Sequence, residues 1–182
     1  MRAQIVLISY HNQNTRKVAE AMASVLHASV VSPQQFRVED MHECDLIGLG
    51  SGVYGGKHHQ SLLDLTDKLP AAGPGKICAE TFLFSTFGAP ASTLRSEERQ
   101  GRVGSFVREN HSALRQRLES KGYPVVGEFA CPGLNTNSFL RLFGGLNKGR
   151  PSEEDLRLAS EFAVQLEAKV CQNIETRMKE EE

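Results

Sequence analysis

A buried strand, a polar loop and a helix follow one another directly at the start of the chain, and this succession constrains the fold more than any other segment. The apolar run Ile5–Ile8 leads into the hydroxyl- and amide-rich loop Ser9–Thr15, and the apolar residues of the following segment, Arg16–Met22, recur at helical spacing. The first backbone N–H groups of a helix have no acceptor within it. The sequence therefore predicts an anion site, most often one for phosphate, where the loop meets the helix.

A simpler interpretation of this loop remains open. Asn14 or Thr15 could cap an ordinary amphipathic helix, because both are favourable N-cap residues. The loop lacks the lysine and paired glycines of a nucleoside-triphosphate loop, and it lacks the glycine pattern of a dinucleotide site. Neither of those two ligand classes is expected.

The alternation of strand and helix continues along the chain. Further strands are predicted at Ser29–Val31, Asp45–Gly50 and Ile77–Ser85, with a last strand that contains Val125, Val126 and Phe129. The helices between and after them are marked by Leu62, Leu65 and Leu69, by Leu114 and Leu118, and by a capping-box sequence that begins at Ser152. Parallel strands need helical crossovers, and right-handed crossovers place helices on both faces of the sheet. We expect one α/β domain over residues 1–182, a doubly wound five-stranded parallel sheet in the order 2-1-3-4-5.

Three loops are expected at one edge of this sheet. In such a strand order, ligands bind beyond the carboxyl ends of the strands, at the switch point between the first and third strands. Ser9–Thr15 follows the first strand and Ser51–Gly56 follows the third. The segment Thr86–Pro90 is expected to end the fourth strand close by.

Composition excludes several functional classes. The chain has no apolar run long enough to span a bilayer and no signal-peptide pattern before the first strand, so we expect a cytoplasmic protein without a membrane span. The net charge is −1, and residues of both signs are interspersed, which argues against nucleic-acid binding.

Cysteines and histidines give no metal signature. The four cysteines form no C-x-x-C pair, which argues against zinc and against a dithiol redox site. Cys131, placed after a predicted strand end, is the one cysteine that chemistry could use, but a structural role is the favoured interpretation for it as well. Lys57-His58-His59 could suggest a metal, but adjacent residues of a helix point about 100° apart. We expect polar lining of a site or a solvated helix start there.

Four segments together resemble the flavodoxin family over nearly the whole chain. They are Ser9–Thr15 with the following Val18-Ala19, then Gly50–His59, Phe84–Gly88 and Gly144–Pro151. The last three are similar to a branch of short flavodoxin-like proteins. This resemblance implies a flavodoxin-like fold with FMN as a non-covalently bound cofactor.

By position, the resemblance also implies which residues hold the cofactor. The first loop would hold the FMN phosphate through its backbone N–H groups and the side chains of Ser9, His11, Asn12, Asn14 and Thr15. A dianion at a helix N-terminus is stabilised by oriented amides and by the helix dipole, so no lysine or arginine is required.

The other two loops would contact the isoalloxazine ring, with Tyr54 stacking on it and a peptide flip possible at Gly52 or Gly55. Phe87 could instead be an ordinary core residue. The residues implied are Gly52, Val53, Tyr54 and Gly55 in the second loop, and Thr86, Phe87 and Gly88 in the third.

The chain departs from the family in several places. Tyr10 and Gln13 stand where the family has a hydroxyl residue and a small residue, and the nearly neutral charge differs from the acidic surface of electron-carrier flavodoxins. Residues 89–109 form an Arg- and Glu-rich insertion longer than ordinary connections, which suggests a lid, a docking element or disorder. Residues 174–182 are expected to fray.

Three functions follow from these observations. We expect first an FMN redox protein that passes electrons to a partner protein or a small acceptor. The alternative is an FMN-dependent oxidoreductase acting on a quinone, porphyrinogen or other small acceptor, because flavodoxin-like protoporphyrinogen oxidases show a similar Tyr-Gly-x-x-His stretch and insertion. The third is an interaction module that has lost the cofactor.

Overall fold

Five parallel strands form one sheet in a computed structural model of the chain, which describes residues 1–73, 78–90, 92 and 104–180. In chain order the strands are β1 (Ala3–Ile8), β2 (Ser29–Val31), β3 (Leu46–Tyr54), the two-residue β4 (Lys57–His58), β5 (Glu80–Phe87) and β6 (Val125–Pro132). The parallel strands lie in the order β2-β1-β3-β5-β6, and β4 pairs antiparallel with the end of β3. The predicted order 2-1-3-4-5 is therefore confirmed for the parallel strands.

Helices cover both faces of the sheet. They are α1 (Asn14–Leu26), α2 (Asp40–Glu43), α3 (Gln60–Lys68), α4 (Ser105–Ser120) and α5 (Glu153–Glu180), with a 3₁₀ helix at Ser138–Phe143. One apolar core joins α1 and α5 to the sheet, and a second joins α2, α3 and α4 to the opposite face. The described part of the chain is thus doubly wound, as predicted.

Strand β1 illustrates why the sequence forms this architecture. Ile5 and Leu7 point into the core beneath α1 and α5, whereas Val6 and Ile8 point into the other core. Side chains alternate between the two faces of a strand, and both faces here are covered by helices. A continuous apolar run is the pattern that such a strand requires.

Two of the sheet's central strands are longer than predicted. Ser51–Tyr54 continues β3, and Thr86-Phe87 continues β5, because the parallel pairing extends to Ser51↔Ser85 and Gly52↔Thr86. Of the two interpretations of Lys57-His58-His59, a helix start at Lys57 is not found: Lys57 and His58 form β4, and His59 caps α3.

The structure decides two expectations in the C-terminal part of the chain. Cys131 lies within β6 and not after its end, and burial raises the pKa of its thiol well above the usual value, so it is a structural core residue, as the favoured interpretation held. Helix α5 continues to Glu180 instead of fraying from residue 174. Asn173 Nδ2 and an Arg177 guanidinium nitrogen bind the buried Glu80 carboxylate at 3.0 and 3.2 Å, which fixes the last turns.

The expected insertion at 89–109 is only partly described. Residues 91 and 93–103 lie outside the described residues, and α4 begins at Ser105. Within the described ranges, no helix combines the length and the apolar character needed to cross a membrane.

Candidate functional site

A cleft of about 510 Å³ opens beyond the carboxyl ends of β1, β3 and β5. Of the residues predicted to bind a cofactor, Asn12 and Gly55 are outside its lining. The structure brings the others together in the cleft wall: Ser9, His11, Asn14, Thr15, Gly52, Val53, Tyr54, Thr86, Phe87 and Gly88.

The loop between β1 and α1 presents free backbone donors. Asn12 and Gln13 both have left-handed backbones, with φ of 54° and 53°, and the helix begins at the next residue. Within the described residues, the backbone N–H groups of Asn12, Gln13 and Thr15 have no acceptor. These amides lie at the positive end of the helix dipole, so the loop can accept an anion.

The side chains of the two asparagines brace this loop. Asn12 Nδ2 donates to the Leu134 carbonyl at 3.0 Å and to Thr136 Oγ1 at 3.2 Å, and Asn14 Nδ2 donates to the same Leu134 carbonyl at 2.8 Å. Their amide N–H groups therefore tie the loop to the segment that follows β6. The backbone amides of the loop and the second N–H of Asn14 Nδ2 remain available to an anion.

Two hydroxyl residues connect the loop to the helix and to the sheet. Ser9 Oγ accepts a hydrogen bond from the Arg16 backbone N–H at 3.2 Å, which leaves its own O–H free to donate. Thr15 Oγ1 lies 2.8 Å from Thr86 Oγ1 in a buried pair. This pair fixes the first turn of α1 against the end of β5.

Two tyrosines of the cleft lining, Tyr10 and Tyr54, are joined by the ring of His59. The His59 ring lies edge-on between Tyr10 and Tyr54, with 5.3 Å between ring centroids in each pair. The Tyr54 ring lies over Gly52, where a Cβ would come within 3.1 Å of it. Burial raises the pKa of the Tyr54 phenol, so the ring stays neutral. Tyr10 is 58% exposed and forms the rim.

Gly55 and Gly56 form the turn between β3 and β4. Their φ angles are 58° and 77°, and a two-residue hairpin turn that needs positive φ at both positions favours glycine strongly. Gly56 lines the cleft and Gly55 does not. Turn geometry thus explains these glycines without any ligand.

Sequence reasoning missed one whole wall of the cleft. Phe106 and Asn110 come from α4, and the segment Leu134–Asn137 follows β6. Phe106 packs on Phe87 with 5.0 Å between the rings. Position in the fold could have predicted the segment after β6, because the residues that follow the fifth parallel strand emerge at the same edge of the sheet.

A buried chain of polar groups lies behind the cleft. Ser85 Oγ is 2.8 Å from His111 Nε2, and His111 Nδ1 is 3.1 Å from Glu128 Oε2. This connectivity resembles a catalytic triad, but His111 is completely buried, and burial together with the nearby Arg115 guanidinium lowers its pKa to about 3. Such a histidine is a poor general base, so we assign the group a structural role.

Comparisons with known proteins agree with this architecture. Residues 5–72 match the family described as a flavodoxin domain. An uncharacterized protein of Methanocaldococcus jannaschii is 38% identical over 164 residues, which cover 90% of this chain and 96% of that protein.

Solved structures show the same fold. A flavodoxin from the domain Archaea has a TM-score of 0.60 at 17% identity, over 93% of this chain and 99% of that chain. Oxidised Flavodoxin 2 from Bacillus cereus has a TM-score of 0.59 at 17% identity, with the same coverage of each chain.

Proposed function

Because the chain belongs to the flavodoxin family, we propose that its cleft binds FMN non-covalently and that the protein transfers electrons through this cofactor. One observation carries the proposal. At the same edge of the sheet lie backbone N–H groups without an acceptor and a cavity of about 510 Å³ with tyrosines in its wall. Its electron partners would be a redox protein or a small acceptor.

The phosphate end of FMN fits the loop between β1 and α1. The unpaired N–H groups of Asn12, Gln13 and Thr15, with the Ser9 hydroxyl, form a set of donors at the start of α1. The residues that line the cleft include no lysine or arginine. Oriented amides at a helix N-terminus are sufficient to stabilise a phosphate dianion.

The ring end fits the part of the cleft that contains Tyr54. Tyr54 offers an aromatic face held over Gly52, and Thr86, Phe87 and Gly88 line the cleft beside it, where the absence of a Cβ on Gly88 makes room for Asn135. When bound, FMN supplies reversible one- or two-electron chemistry. The protein's contribution is to orient the ring, to exclude water from one side of it and to leave an edge exposed.

Ligand discrimination tests the proposal. The purified protein is titrated with FMN and with riboflavin, which lacks the phosphate, while flavin fluorescence is recorded. We expect riboflavin to bind at least about 100-fold more weakly, because losing even two of the four donors' charge-assisted hydrogen bonds, at about 1.5 kcal/mol each, gives that difference. A protein that leaves FMN fluorescence unquenched, or that binds both flavins equally, would refute the assignment.

A matched pair of variants tests the ring end. Tyr54→Leu removes an aromatic face that is partly buried over Gly52, whereas Tyr10→Leu removes one that is 58% exposed. Loss of a stacking ring costs about 1 kcal/mol. We expect the Tyr54 variant to weaken FMN binding several-fold more than the Tyr10 variant, and the reverse order would contradict this placement of the ring.

A second candidate is an FMN-dependent oxidoreductase acting on a quinone, a porphyrinogen or another small acceptor. Ala89 and Phe106, which flank the chain segment longer than ordinary connections, both line the cleft. The ends of that segment therefore lie where a substrate would approach the cofactor. Steady turnover of such an acceptor by the FMN-loaded protein would favour this candidate, and electron delivery only to another protein would favour the carrier.

A further inference from the structure

The β3–β4 hairpin is too short to hold its own position. Only two residue pairs join the strands, Val53 with His58 and Tyr54 with Lys57. An isolated two-stranded hairpin is at best marginally stable in water, even when it is longer than this. The turn that lines the cleft must therefore be fixed by contacts made by side chains.

His58 provides such a contact. It is 1% exposed, and its Nε2 lies 3.3 Å from the Phe84 carbonyl oxygen of β5. Because a carbonyl only accepts hydrogen bonds, Nε2 carries the proton. Nδ1 is then the deprotonated nitrogen, and this buried atom has no partner in the part of the chain that the structure describes.

His111 of α4 forms a rigid wall beside His58. The two rings are tilted with 4.6 Å between their centroids. The orientation of His111 is set on both sides by Ser85 and Glu128, and Glu128 is paired with Arg115. Burial and the neighbouring His111 lower the pKa of His58 well below its usual value, which keeps its ring neutral.

The residue before His111 reaches the same hairpin from the cleft side. Asn110 Nδ2 donates to the Phe106 carbonyl at 2.7 Å, and its Oδ1 lies 3.9 Å from the position of a Cβ on Gly56. Asn110 therefore lies beside the turn, and His111, the next residue of α4, packs on His58.

We propose that His58 is the positioning residue of this turn, and that its bond to the Phe84 carbonyl and its packing on His111 hold residues 54–57 in the geometry that receives the flavin ring. The identity of the ligand in this inference depends on the FMN function proposed above. The anchorage of the turn is a property of the chain alone.

Three variants test this role. His58→Phe keeps a ring but removes the donor, His58→Gln keeps an amide donor near the position of Nε2, and His42→Gln changes an exposed histidine of α2 as a control. Amide hydrogen exchange of Tyr54 and Lys57, the residue pair that closes the turn, is measured by NMR without flavin, and FMN affinity is measured by fluorescence. We expect His58→Phe to raise both the exchange rates and the FMN Kd about tenfold, the equivalent of about one lost hydrogen bond.

The conservative variant separates positioning from packing. His58→Gln and the control are expected to stay within about threefold of the wild type in both measurements. Equal effects of Phe and Gln, or unchanged exchange at the turn in a folded His58→Phe protein, would overturn the proposal. If the Phe variant does not fold, His58→Asn, whose shorter amide cannot reach the Phe84 carbonyl, replaces it in the same comparison.

The two measurements also keep this inference distinct from the proposed function. A wild-type protein that fails to bind FMN would refute the FMN assignment, while faster exchange in the Phe variant would still support the anchorage of the turn. A wild-type protein that binds FMN, combined with exchange at the turn that is insensitive to residue 58, would refute the anchorage alone.

Discussion

Acid should destabilise this protein well above the pH at which its carboxylates titrate, because His111 is buried as a neutral ring. Its pKa is lowered from 6.5 to about 3, first by burial and then by Arg115. Between these two values the unfolded chain binds a proton on this side chain that the folded chain does not. Stability is therefore fully present above pH 6.5 and falls as the pH decreases through that value.

The size of the effect follows from the shift. Each pH unit below 6.5 removes about 1.4 kcal/mol per buried neutral histidine. His111 alone should then cost about 2 kcal/mol at pH 5. His58 has its pKa lowered in the same direction and adds to the slope.

Urea unfolding followed by far-UV circular dichroism, at several pH values between about 7.5 and 5, measures this slope. His111→Gln is expected to lower stability at neutral pH but to flatten the slope by about 1.4 kcal/mol per pH unit, since one titrating group is gone. The control His42→Gln, at an exposed position, should leave the slope unchanged. A slope in His111→Gln equal to that of the wild type would refute the reasoning, because it would mean that the folded protein protonates His111 normally.

Three further outcomes are expected. Gly50→Ala should cost about 1–3 kcal/mol in urea unfolding, because its Cβ would overlap the buried Phe84 ring; a neutral effect would show that this ring can move. Thr15→Val should cost about 1–2 kcal/mol by leaving Thr86 Oγ1 unpaired, and adding Thr86→Val should recover part of that cost in a double-mutant cycle. Gly55→Ala should cost about 1 kcal/mol in urea unfolding, because its backbone φ is 58°; a neutral effect would show that the turn accepts a side chain there.

The sheet could be predicted from the sequence because its strands are marked by short apolar runs that can be recognised without knowledge of the rest of the fold. The run Ile5–Ile8 is apolar on both faces, and the polar loop after it falls at a sheet edge whose position follows from the strand order alone. Most predicted site residues lie in one cleft for this reason.

The differences arise where tertiary contacts override local pattern. The glycine-rich end of β3 is typical of a turn, yet Gly50 and Gly52 sit in a strand under the rings of Phe84 and Tyr54. Strand β4 has two residues, too few for any periodicity. Segment 134–137 reaches the cleft through bonds to distant asparagines, which no local pattern records.

The hydrogen bonds that tie the loop between β1 and α1 to the segment after β6 limit the effect of substitutions in that segment. The side chains of Asn12 and Asn14 both donate hydrogen bonds to the main-chain oxygen of Leu134, an acceptor that any residue at that position would supply. A substitution of the Leu134 side chain therefore leaves both hydrogen bonds in place, so the loop between β1 and α1 keeps its support whatever side chain stands at that position.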